Sequence, residues 1–318
     1  MSNAKLRIGT RASALALWQA NWVKDQLEQR YPDLEVTLTK IKTQGDKILD
    51  VPLAKVGGKG LFVKEIQEAM LRHEVDIAVH SMKDVPTIFP QGTGLRCITE
   101  REDSRDILVL PEGKRSLDDI PQNGRIGTSS LRRKAQLLHL RPDLQMIDVR
   151  GNVETRMRKL TDEKLDAVVL AAAGMKRLGF ADQIGCYLEP DICLPAIGQG
   201  ALGLESRIDD QRTNELIDFF NHPQTACAVI AERAVLATLE GGCQVPIAAY
   251  GQIKQGQLEL TALVADVEGK TLLKRSRVVP TEQAYDAGVA LAKELLADGA
   301  ATILNEVYGC RTFPEAEH

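Results

Sequence analysis

The sequence predicts an α/β chain with mainly parallel sheets, followed by a small α+β domain with an antiparallel sheet. Three observations lead to this prediction. Strand-like and helix-like runs alternate through the first two thirds of the chain, one strand-turn-helix opening occurs twice, and closely spaced strands follow Pro223. Alternation is typical of parallel sheets covered by helices, whereas strands joined by tight turns pair antiparallel.

The first part of the chain has a βαβ pattern. "KLRIGT" is a predicted strand, and the apolar residues after it recur at helical spacing. "EVTLTKIK" is a second strand, "LFVKEIQEAMLR" a helix and "VDIAVHS" an apolar strand. The segment "TQGDKILDVPLAKVGGKG" between them is long, glycine-rich and charged, which is typical of a mobile binding loop.

The second part repeats this pattern. "RDILVLP", "NGRIGTSS" and "LQMIDVR" are predicted strands, and "SLRRKAQLLHLRP" and "NVETRMRKL" are predicted helices. "KLDAVVLAAAGMKRLG" is predicted as a long apolar strand followed by a turn. The tetrapeptide "RIGT" begins at Arg7 and again at Arg125, each time ahead of a hydroxyl-bearing turn and a helix. This repetition predicts two lobes with a cleft between them.

The remaining chain supplies a return segment and a third domain. "LPAIGQGALGLESR" is glycine-rich and extended, as expected of a hinge that carries the chain back to the first lobe. "TACAVIAERAVLATLE" is a helix, "GQIKQGQLEL" and "VADVEGKTLL" read as hairpins, and a last helix follows. We therefore expect a first lobe at 1–99 with 200–220, a second lobe at 100–199, and a C-terminal domain at 221–318.

Charge is distributed unevenly along the chain. The formal net charge is −4, but residues 125–159 hold nine Lys or Arg and three acids, a local charge of +6 against −10 elsewhere. A concentrated positive patch on an acidic protein indicates a specific anionic ligand. Aromatic residues make up only 4%, which argues against a nucleic-acid binder that stacks bases. No apolar run has the length of a membrane span.

Six cysteines are present, and Cys243 stands out among them because it follows two glycines in the turn "LEGGCQVPIA". None forms a C-x-x-C pair and no His/Cys cluster has zinc spacing, so we expect no metal site. The chain enters a strand almost at once, so we expect no secretory signal, a reducing cytoplasm and no disulfides. The thiol of Cys243 is expected to be accessible. On the local motif alone it has four possible roles: a chance surface group, half of a disulfide, a metal ligand or a nucleophile.

Anion-binding residues cluster at two strand-to-helix turns of the second lobe. Thr128, Ser129 and Ser130 occupy one turn, where free N–H groups at a helix start bind carboxylate or phosphate. Arg132 and Arg133 follow, and the next strand ends in Arg150 and Gly151 ahead of Arg156. We expect Arg132, Arg133, Arg150 and Arg156 to converge on one edge of the sheet, where guanidinium groups suit a ligand with several carboxylates.

The first lobe offers a matching turn with Arg11 and Ser13. Its apolar strand ends at His80 and leads into Ser81, Lys83 and Asp84 in "VHSMKDVP". His80 is expected to be a buried, hydrogen-bonded residue rather than a catalyst. For Asp84 two roles stay open, capping of the turn before Pro86 and stabilisation of a cation or proton transfer on a substrate.

These residues together resemble the porphobilinogen deaminase (hydroxymethylbilane synthase) family over essentially the whole chain. The matching stretches are "RIGTRASALALWQA", "KTQGDKILDVPLAKVGGKGLFVKEIQEAM", "DIAVHSMKDVP", "GRIGTSSLRRKAQL", "DVRGNVETRMRKL", "LPAIGQGALGLE" and "LEGGCQVPIAAY". The resemblance implies two lobes like those of periplasmic binding proteins and a third domain that carries a cofactor cysteine. It also implies a cytoplasmic monomer.

The resemblance further implies a transferase that uses a dipyrromethane cofactor, bound to Cys243 as a thioether. Four porphobilinogens are deaminated to azafulvenes and joined head to tail, and a linear tetrapyrrole is released. By resemblance, Asp84 is catalytic, Arg11, Ser13, Arg150 and Arg156 bind substrate, and Lys55, Gly57, Gly58 and Lys59 form an active-site loop. The implied cofactor contacts are Ser81, Lys83, Asp84, Thr128, Ser129, Ser130, Arg132, Arg133 and Gly151.

Two other classes of protein stay open on the residues alone. A non-catalytic two-lobed anion-binding protein would explain the arginines and the repeat, but not Cys243. An enzyme with Cys243 as a transient nucleophile would normally need a nearby histidine as base, and the local motif contains none.

Overall fold

The structure is a computed structural model, and it describes residues 4–47, 63–239 and 245–308. The chain divides into two compact units. Unit 1 comprises residues 1–102 and 200–226, and unit 2 comprises residues 103–199 and 227–318. The finer division into three domains, at the boundaries expected above, stays a prediction.

Thirteen strands and ten helices are found within the described residues. The strands are β1 (Ala4–Thr10), β2 (Leu34–Lys40), β3 (Ile77–Ser81), β4 (Thr93–Ile98), β5 (Asp106–Val109), β6 (Arg125–Gly127), β7 (Gln145–Ile147), β8 (Ala167–Ala171), β9 (Cys186–Leu188), β10 (Leu202–Arg207), β11 (Ile247–Lys254), β12 (Gln257–Ala265) and β13 (Leu272–Pro280). The helices are α1 (Ala14–Arg30), α2 (Gln44–Lys47), α3 (Lys64–Leu71), α4 (Leu131–Leu140), α5 (Val153–Asp162), α6 (Ala172–Arg177), α7 (Gln211–Ile217), α8 (Pro223–Thr238), α9 (Ala284–Leu295) and α10 (Ala301–Tyr308).

Unit 1 is built on a mixed five-stranded sheet of order β2-β1-β3-β10-β4. Strands β1, β2 and β3 are parallel, while β10 runs antiparallel between β3 and β4. The apolar faces of β1 and β2 pack against Ala20, Val23 and Leu27 of α1. The carboxyl ends of β1 and β3 therefore lie at one edge of the sheet, which is where α/β proteins bind ligands.

Unit 2 contains a second five-stranded sheet with the same arrangement, in the order β7-β6-β8-β5-β9. Strands β6, β7 and β8 are parallel, and β5 runs antiparallel to both β8 and β9. The repeated "RIGT" occupies the same place in both sheets. The Arg7 amide donates to Asp76 Oδ2 at 2.8 Å and the Arg125 amide to Asp166 Oδ2 at 2.9 Å, which confirms the predicted repeat.

Unit 2 also contains the predicted antiparallel domain, whose sheet has the order β11-β12-β13. Its turns use glycine where the backbone needs positive φ, at Gly256 (77°) and Gly269 (73°). The sheet packs on α8 and α9 through an apolar core that includes Val235, Leu260 and Leu291. The predicted fold class, with two mainly parallel sheets and a small antiparallel one, is confirmed.

One predicted element is wrong, and five others were missed. "KLDAVVLAAAGMKRLG" is not one long strand, because β8 ends at Ala171 and α6 begins at Ala172. Ala171 is paired with Asp106, the first residue of β5, so the sheet ends there, and the alanines beyond it favour a helix. The elements that the sequence did not indicate are β4, β9, α2, α7 and α10.

Candidate active site

A small cleft opens at the carboxyl ends of β1 and β3 in unit 1. Its walls combine polar and apolar side chains, as small-molecule sites do. The lining residues are Arg11, Ser13, Leu15, Ala16, Gln19, Val63, Ile66, Val79, His80, Ser81 and Asp84. The structure thus brings together four residues that the sequence had singled out from two separate motifs: Arg11, Ser13, Ser81 and Asp84.

The start of α1 forms the anion-binding side of this cleft. Ser13 is the N-cap residue, and its Oγ accepts a hydrogen bond from the Ala16 amide at 3.4 Å. No acidic residue lies in the first turn of this 17-residue helix. The partial positive charge of the helix start, together with Arg11, therefore favours a negatively charged group of a ligand.

Asp84 is held by the backbone at the opposite side. A 3₁₀ turn, Met82–Asp84, follows β3 directly. The Met82 amide donates to the Ala201 carbonyl at 3.0 Å, and the Val85 amide to the Met82 carbonyl at 3.2 Å. Lys83 and Asp84 are half-buried. The chain path thus fixes the position of Asp84 beside the cleft.

Ser81 is positioned by a residue that the sequence reading missed. Gln19 of α1 is only 2% exposed, and its Nε2 donates to Ser81 Oγ at 2.8 Å. Since both side chains line the cleft, this bond ties α1 to β3. Gln19 gave no signal in the sequence, because an amide on a helix reads as a surface residue.

His80 is buried and hydrogen-bonded, as predicted. Its Nε2 lies 3.1 Å from Oε2 of Glu205, a residue of β10 with no exposed surface. Glu205 also accepts hydrogen bonds from Gln67 Nε2, at 3.0 and 3.2 Å, and from Thr93 Oγ1, at 2.7 Å. The sequence reading missed Glu205, although an acid within a buried strand is itself a signal.

In unit 2, the hydroxyl residues lie where the sequence placed them. Ser130 is the N-cap residue of α4, and its Oγ accepts from the Arg133 amide at 3.5 Å. Thr128 Oγ1 accepts from the Ser130 amide at 3.2 Å, and Ser129 Oγ donates to the Val149 carbonyl at 2.6 Å. These bonds shape the turn ahead of α4, whose first amides suit an anion.

Arg132 and Arg133 converge on a buried carboxylate, that of Asp106. Arg132 Nη2 lies 2.8 Å from Oδ2 and Arg133 Nη2 2.7 Å from Oδ1. Burial raises the pKa of Asp106, but the two guanidinium groups outweigh it and hold that pKa well below the usual range. Burial raises the pKa of the neighbouring Cys193 thiol to about 12, so the thiol is neutral. The cluster therefore carries a net charge of +1 in the interior.

Arg150 and Arg156 lie at the next turn. β7 ends at Ile147, so Arg150 is three residues beyond the strand rather than at its end. Gly151 has φ of +110°, and a Cβ there would lie 2.6 Å from Thr155 Cγ2, so the turn requires glycine. Asn152 caps α5 by accepting from the Thr155 amide at 2.8 Å, and Arg156 Nε donates to the Gly151 carbonyl at 2.9 Å.

Several predicted residues cannot be placed. Cys243, Lys55, Gly57, Gly58 and Lys59 all lie outside the described residues. Among the part of the chain that is described, no group of His, Cys, Asp or Glu side chains has the arrangement of a metal site. None of the described helices is long and apolar enough to cross a membrane.

Fold and site together define an α/β protein with two mixed five-stranded sheets and, in unit 1, a cleft that combines a helix start, one arginine and one carboxylate. Comparison with known proteins gives this class its family. Residues 6–215 match the model "Porphobilinogen deaminase, dipyromethane cofactor binding domain", and residues 226–297 match "Porphobilinogen deaminase, C-terminal domain". The chain belongs to the porphobilinogen deaminase family, as its motifs indicated.

Relatives with this name align along nearly the whole chain. The porphobilinogen deaminase of Geobacter metallireducens is 65% identical over 308 residues, which is 97% of this chain and 96% of the relative. That of Geotalea uraniireducens is 63% identical over the same shares.

The similarity to solved structures is much more distant. The regulatory domain of an OxyR2 mutant from Vibrio vulnificus has a TM-score of 0.42 at 15% identity, covering 69% of this chain and 95% of that one. A probable amino-acid transporter binding protein from Bacillus subtilis has a TM-score of 0.39 at 14% identity, covering 68% and 89%. The sheet topology described above, rather than this likeness, defines the fold.

Proposed function

We propose that this chain deaminates porphobilinogen and joins four molecules head to tail on a cysteine-linked dipyrromethane, releasing hydroxymethylbilane and ammonia. One observation carries the proposal within a chain of this family. A single cleft presents a helix start and an arginine for substrate carboxylates, and a carboxylate for the cation that forms when ammonia leaves. The alternative of a non-catalytic anion-binding protein is not favoured, because the family is a family of enzymes.

Arg11, Ser13, Arg150 and Arg156 are proposed to bind the acetate and propionate groups of the incoming substrate. Guanidinium groups bind carboxylates through two parallel hydrogen bonds, which fixes orientation as well as charge. Arg11 and Ser13 lie together at the start of α1. Arg156 is oriented by the hydrogen bond from its Nε to the Gly151 carbonyl.

The residues of unit 2 fit a dipyrromethane that carries several carboxylates. The buried net charge of +1 around Asp106 and the amides at the start of α4 both call for an anion. In unit 2, the proposed contacts of the dipyrromethane are Ser129, Arg132 and Arg133. By the family resemblance, Ser81 and Lys83 of unit 1 are proposed contacts as well. Thr128, Ser130 and Gly151 shape the turns. When bound through Cys243, the dipyrromethane supplies the pyrrole carbon on which the chain grows.

Asp84 is proposed to accept hydrogen bonds from pyrrole N–H groups. Its negative charge stabilises the positive charge that develops on the substrate as the C–N bond breaks. Because the 3₁₀ turn fixes its backbone, the carboxylate does not need to reorganise during the reaction. The loop with Lys55, Gly57, Gly58 and Lys59 is proposed to limit hydrolysis of the azafulvene.

We further propose that the protein acts as a monomer in the cytoplasm, without nucleic-acid or membrane partners. The low aromatic content, 4%, and the net charge of −4 support the absence of a nucleic-acid partner. Light scattering of the purified protein during gel filtration tests the monomer directly.

Turnover of porphobilinogen, combined with intact mass, tests the proposed function. The active protein is expected to exceed its sequence mass by two pyrrole units, and Cys243→Ser is expected to lack both the adduct and the turnover. Cys186→Ser is the matched control, since it removes a half-buried thiol of unit 2 that lies outside the site. An active protein with the bare sequence mass would exclude the covalent cofactor, and an adduct-bearing protein without turnover would exclude the enzyme.

A further inference from the structure

His80 and Glu205 form a buried pair at the wall of the cleft, and the residue roles proposed above leave this pair unused. The side chain of His80 is 4% exposed and that of Glu205 has no exposed surface. His80 nevertheless lines the same cleft as Asp84. A buried carboxylate is costly unless its charge is balanced. The question is therefore what balances Glu205 and what the pair does there.

The corresponding carboxylate of unit 2 shows the difference. Asp106 lies on β5, the strand that occupies the place of β10 in the second sheet, and it is balanced by two arginines, which never lose their charge. Among the described residues, Glu205 has the partners Gln67, Thr93 and His80, of which only His80 can carry charge. Glu205 thus has a histidine where Asp106 has two arginines.

The hydrogen bonds around Glu205 favour one tautomer of the imidazole ring. Both oxygens of Glu205 accept from Gln67, and Oε1 also accepts from Thr93. A carboxylate in this all-acceptor role is satisfied when Nε2 of His80 carries the hydrogen of the 3.1 Å contact, which leaves the lone pair on Nδ1. Among the described residues Nδ1 has no hydrogen-bond partner, while its ring borders the cleft.

We infer that His80 is the proton acceptor for carbon–carbon bond formation, with Glu205 as the residue that orients it. This inference rests on the proposed function and adds a second acid–base group beside Asp84. A base whose far nitrogen is held by a buried carboxylate is a recurrent catalytic arrangement, because the carboxylate stabilises the imidazolium that forms.

The step balances as follows. The C–N bond of the protonated aminomethyl group of the incoming unit breaks first, and ammonia leaves with its electron pair, which gives the azafulvene cation. The α-carbon of the last porphobilinogen unit added then forms a bond to the exocyclic carbon of that cation. The α C–H bond then breaks, its electron pair returns to the pyrrole ring, and its proton passes to Nδ1 of His80. The imidazolium gives this proton to ammonia, which departs as ammonium.

Nitrogen NMR of the holoenzyme labelled in its histidines tests the assignment without turnover. The chain has five histidines, and the signals lost in His80→Gln identify His80. The expected result is the tautomer with hydrogen on Nε2. Hydrogen on Nδ1 would overturn the inference.

Kinetics with porphobilinogen deuterated at its free α-carbon test the role. His80→Gln is expected to lower kcat by about 10²- to 10⁴-fold and to enlarge the isotope effect. The other charged groups facing His80 are Asp84 and Arg11 in the cleft and Glu205 on β10. His73→Gln removes an exposed histidine of unit 1 as the matched control.

A purely structural role gives a different result. It would lower the rate of His80→Gln with an unchanged isotope effect, and that outcome would overturn the inference. If His80→Gln fails to fold, the isotope effect of Glu205→Gln and the tautomer of the unsubstituted protein decide. Failure of the proposed function is distinguishable, since the unsubstituted protein would then show no turnover at all.

Discussion

Asp106 places a negative charge in the interior of unit 2, where its two oxygens pair with the guanidinium groups of Arg132 and Arg133. Its carboxylate has no exposed surface, and it accepts from Gln199 Nε2 at 2.9 Å as well as from the arginines. Arg133 also donates to the Val169 carbonyl at 3.0 Å, and Arg132 Nη1 to the Leu194 carbonyl at 2.6 Å. One residue thus holds together β5, β8 and α4 around the proposed cofactor contacts.

Replacing Asp106 by asparagine is expected to destabilise unit 2 by about 3–5 kcal/mol, because it leaves two buried guanidinium charges without their counterion. Denaturant unfolding followed by circular dichroism measures the change. Asp182→Asn, at an exposed position of unit 2, is the control and is expected to change stability by less than about 0.5 kcal/mol.

The acid dependence of Asp106 has a definite sign. Its pKa is lowered in the folded protein, so its contribution to stability is present above the unfolded pKa of about 3.9 and is lost as the pH falls below that value. Asp106→Asn is expected to lose part of this acid sensitivity. Equal loss of stability in acid for both proteins would contradict the ion-pair role.

Asp84→Asn tests the cation-stabilising role in unit 1. The amide fits the same space and the 3₁₀ turn is held by backbone bonds, so the fold and the covalent adduct are expected to survive. Turnover is expected to fall by at least about 10²-fold, because the group facing the developing positive charge is no longer negative. Single-turnover kinetics on protein of verified adduct mass measure the loss, and rates near those of the unsubstituted protein would remove Asp84 from this role.

Helix α4 is the element that links the proposed cofactor contacts to the antiparallel domain. Its first turn carries Arg132 and Arg133, and its opposite end carries His139, whose Nδ1 lies 2.8 Å from the Gly269 carbonyl. Ala135, in the middle of the helix, packs with Leu263 and Ala248 of the third sheet. A substitution in the β12–β13 turn is therefore expected to displace α4 and, with it, the proposed cofactor contacts Arg132 and Arg133.

Gly269→Ala and Gly256→Ala separate contact from backbone strain. Both glycines have similar positive φ, at +73° and +77°. A Cβ at Gly269 would lie 2.4 Å from the Ala135 carbonyl oxygen, whereas nothing lies within 4 Å of one at Gly256. Gly256→Ala is expected to cost about 1–2 kcal/mol of strain, and Gly269→Ala clearly more, as measured by thermal unfolding. Equal losses would show that α4 does not press on this turn.

Elements with strong patterns were predictable from the sequence, and their partners were not. β1, α1, α4 and the β11–β12 hairpin follow from periodicity and turn glycines, which act over a few residues. The prediction of a strand beyond Ala171 was wrong because a run of alanines fits a strand or a helix. The sheet stops at Ala171 because its partner, Asp106, is the first residue of β5.

The candidate site shows the same limit at the level of side chains. Arg132 and Arg133 were recognised as cationic, but their burial depends on Asp106, which is 27 residues away from Arg133 in sequence. Glu205 is 125 residues away from His80. Such pairs are set by strand order, with β10 antiparallel between β3 and β4 and β5 antiparallel between β8 and β9. Strand order does not follow from local sequence pattern.

The whole molecule uses one sheet plan twice and gives each copy different chemistry. After equivalent aspartates, Asp76 and Asp166, unit 1 continues into His80, Ser81 and Asp84, whereas unit 2 continues into apolar residues and α6. At this place in the two sheets, unit 1 therefore carries titratable side chains and unit 2 carries apolar ones.

This distribution of charge predicts how ionic strength affects the reaction. Residues 125–159 carry +6 on a chain of net charge −4, so attraction of an anionic substrate is local and salt screens it. Between about 0.05 and 0.5 M KCl the Debye length falls from more than 10 Å to about 4 Å. The KM for porphobilinogen is expected to rise several-fold while kcat changes little, because Asp84 and His80 act within the cleft, where screening is weak.

Sucrose at equal osmolality controls for solvent effects, and Arg156→Gln is expected to start with a higher KM and show a smaller rise. A KM that does not depend on salt would show that shape and hydrogen bonds, rather than the positive charge of this segment, capture the substrate.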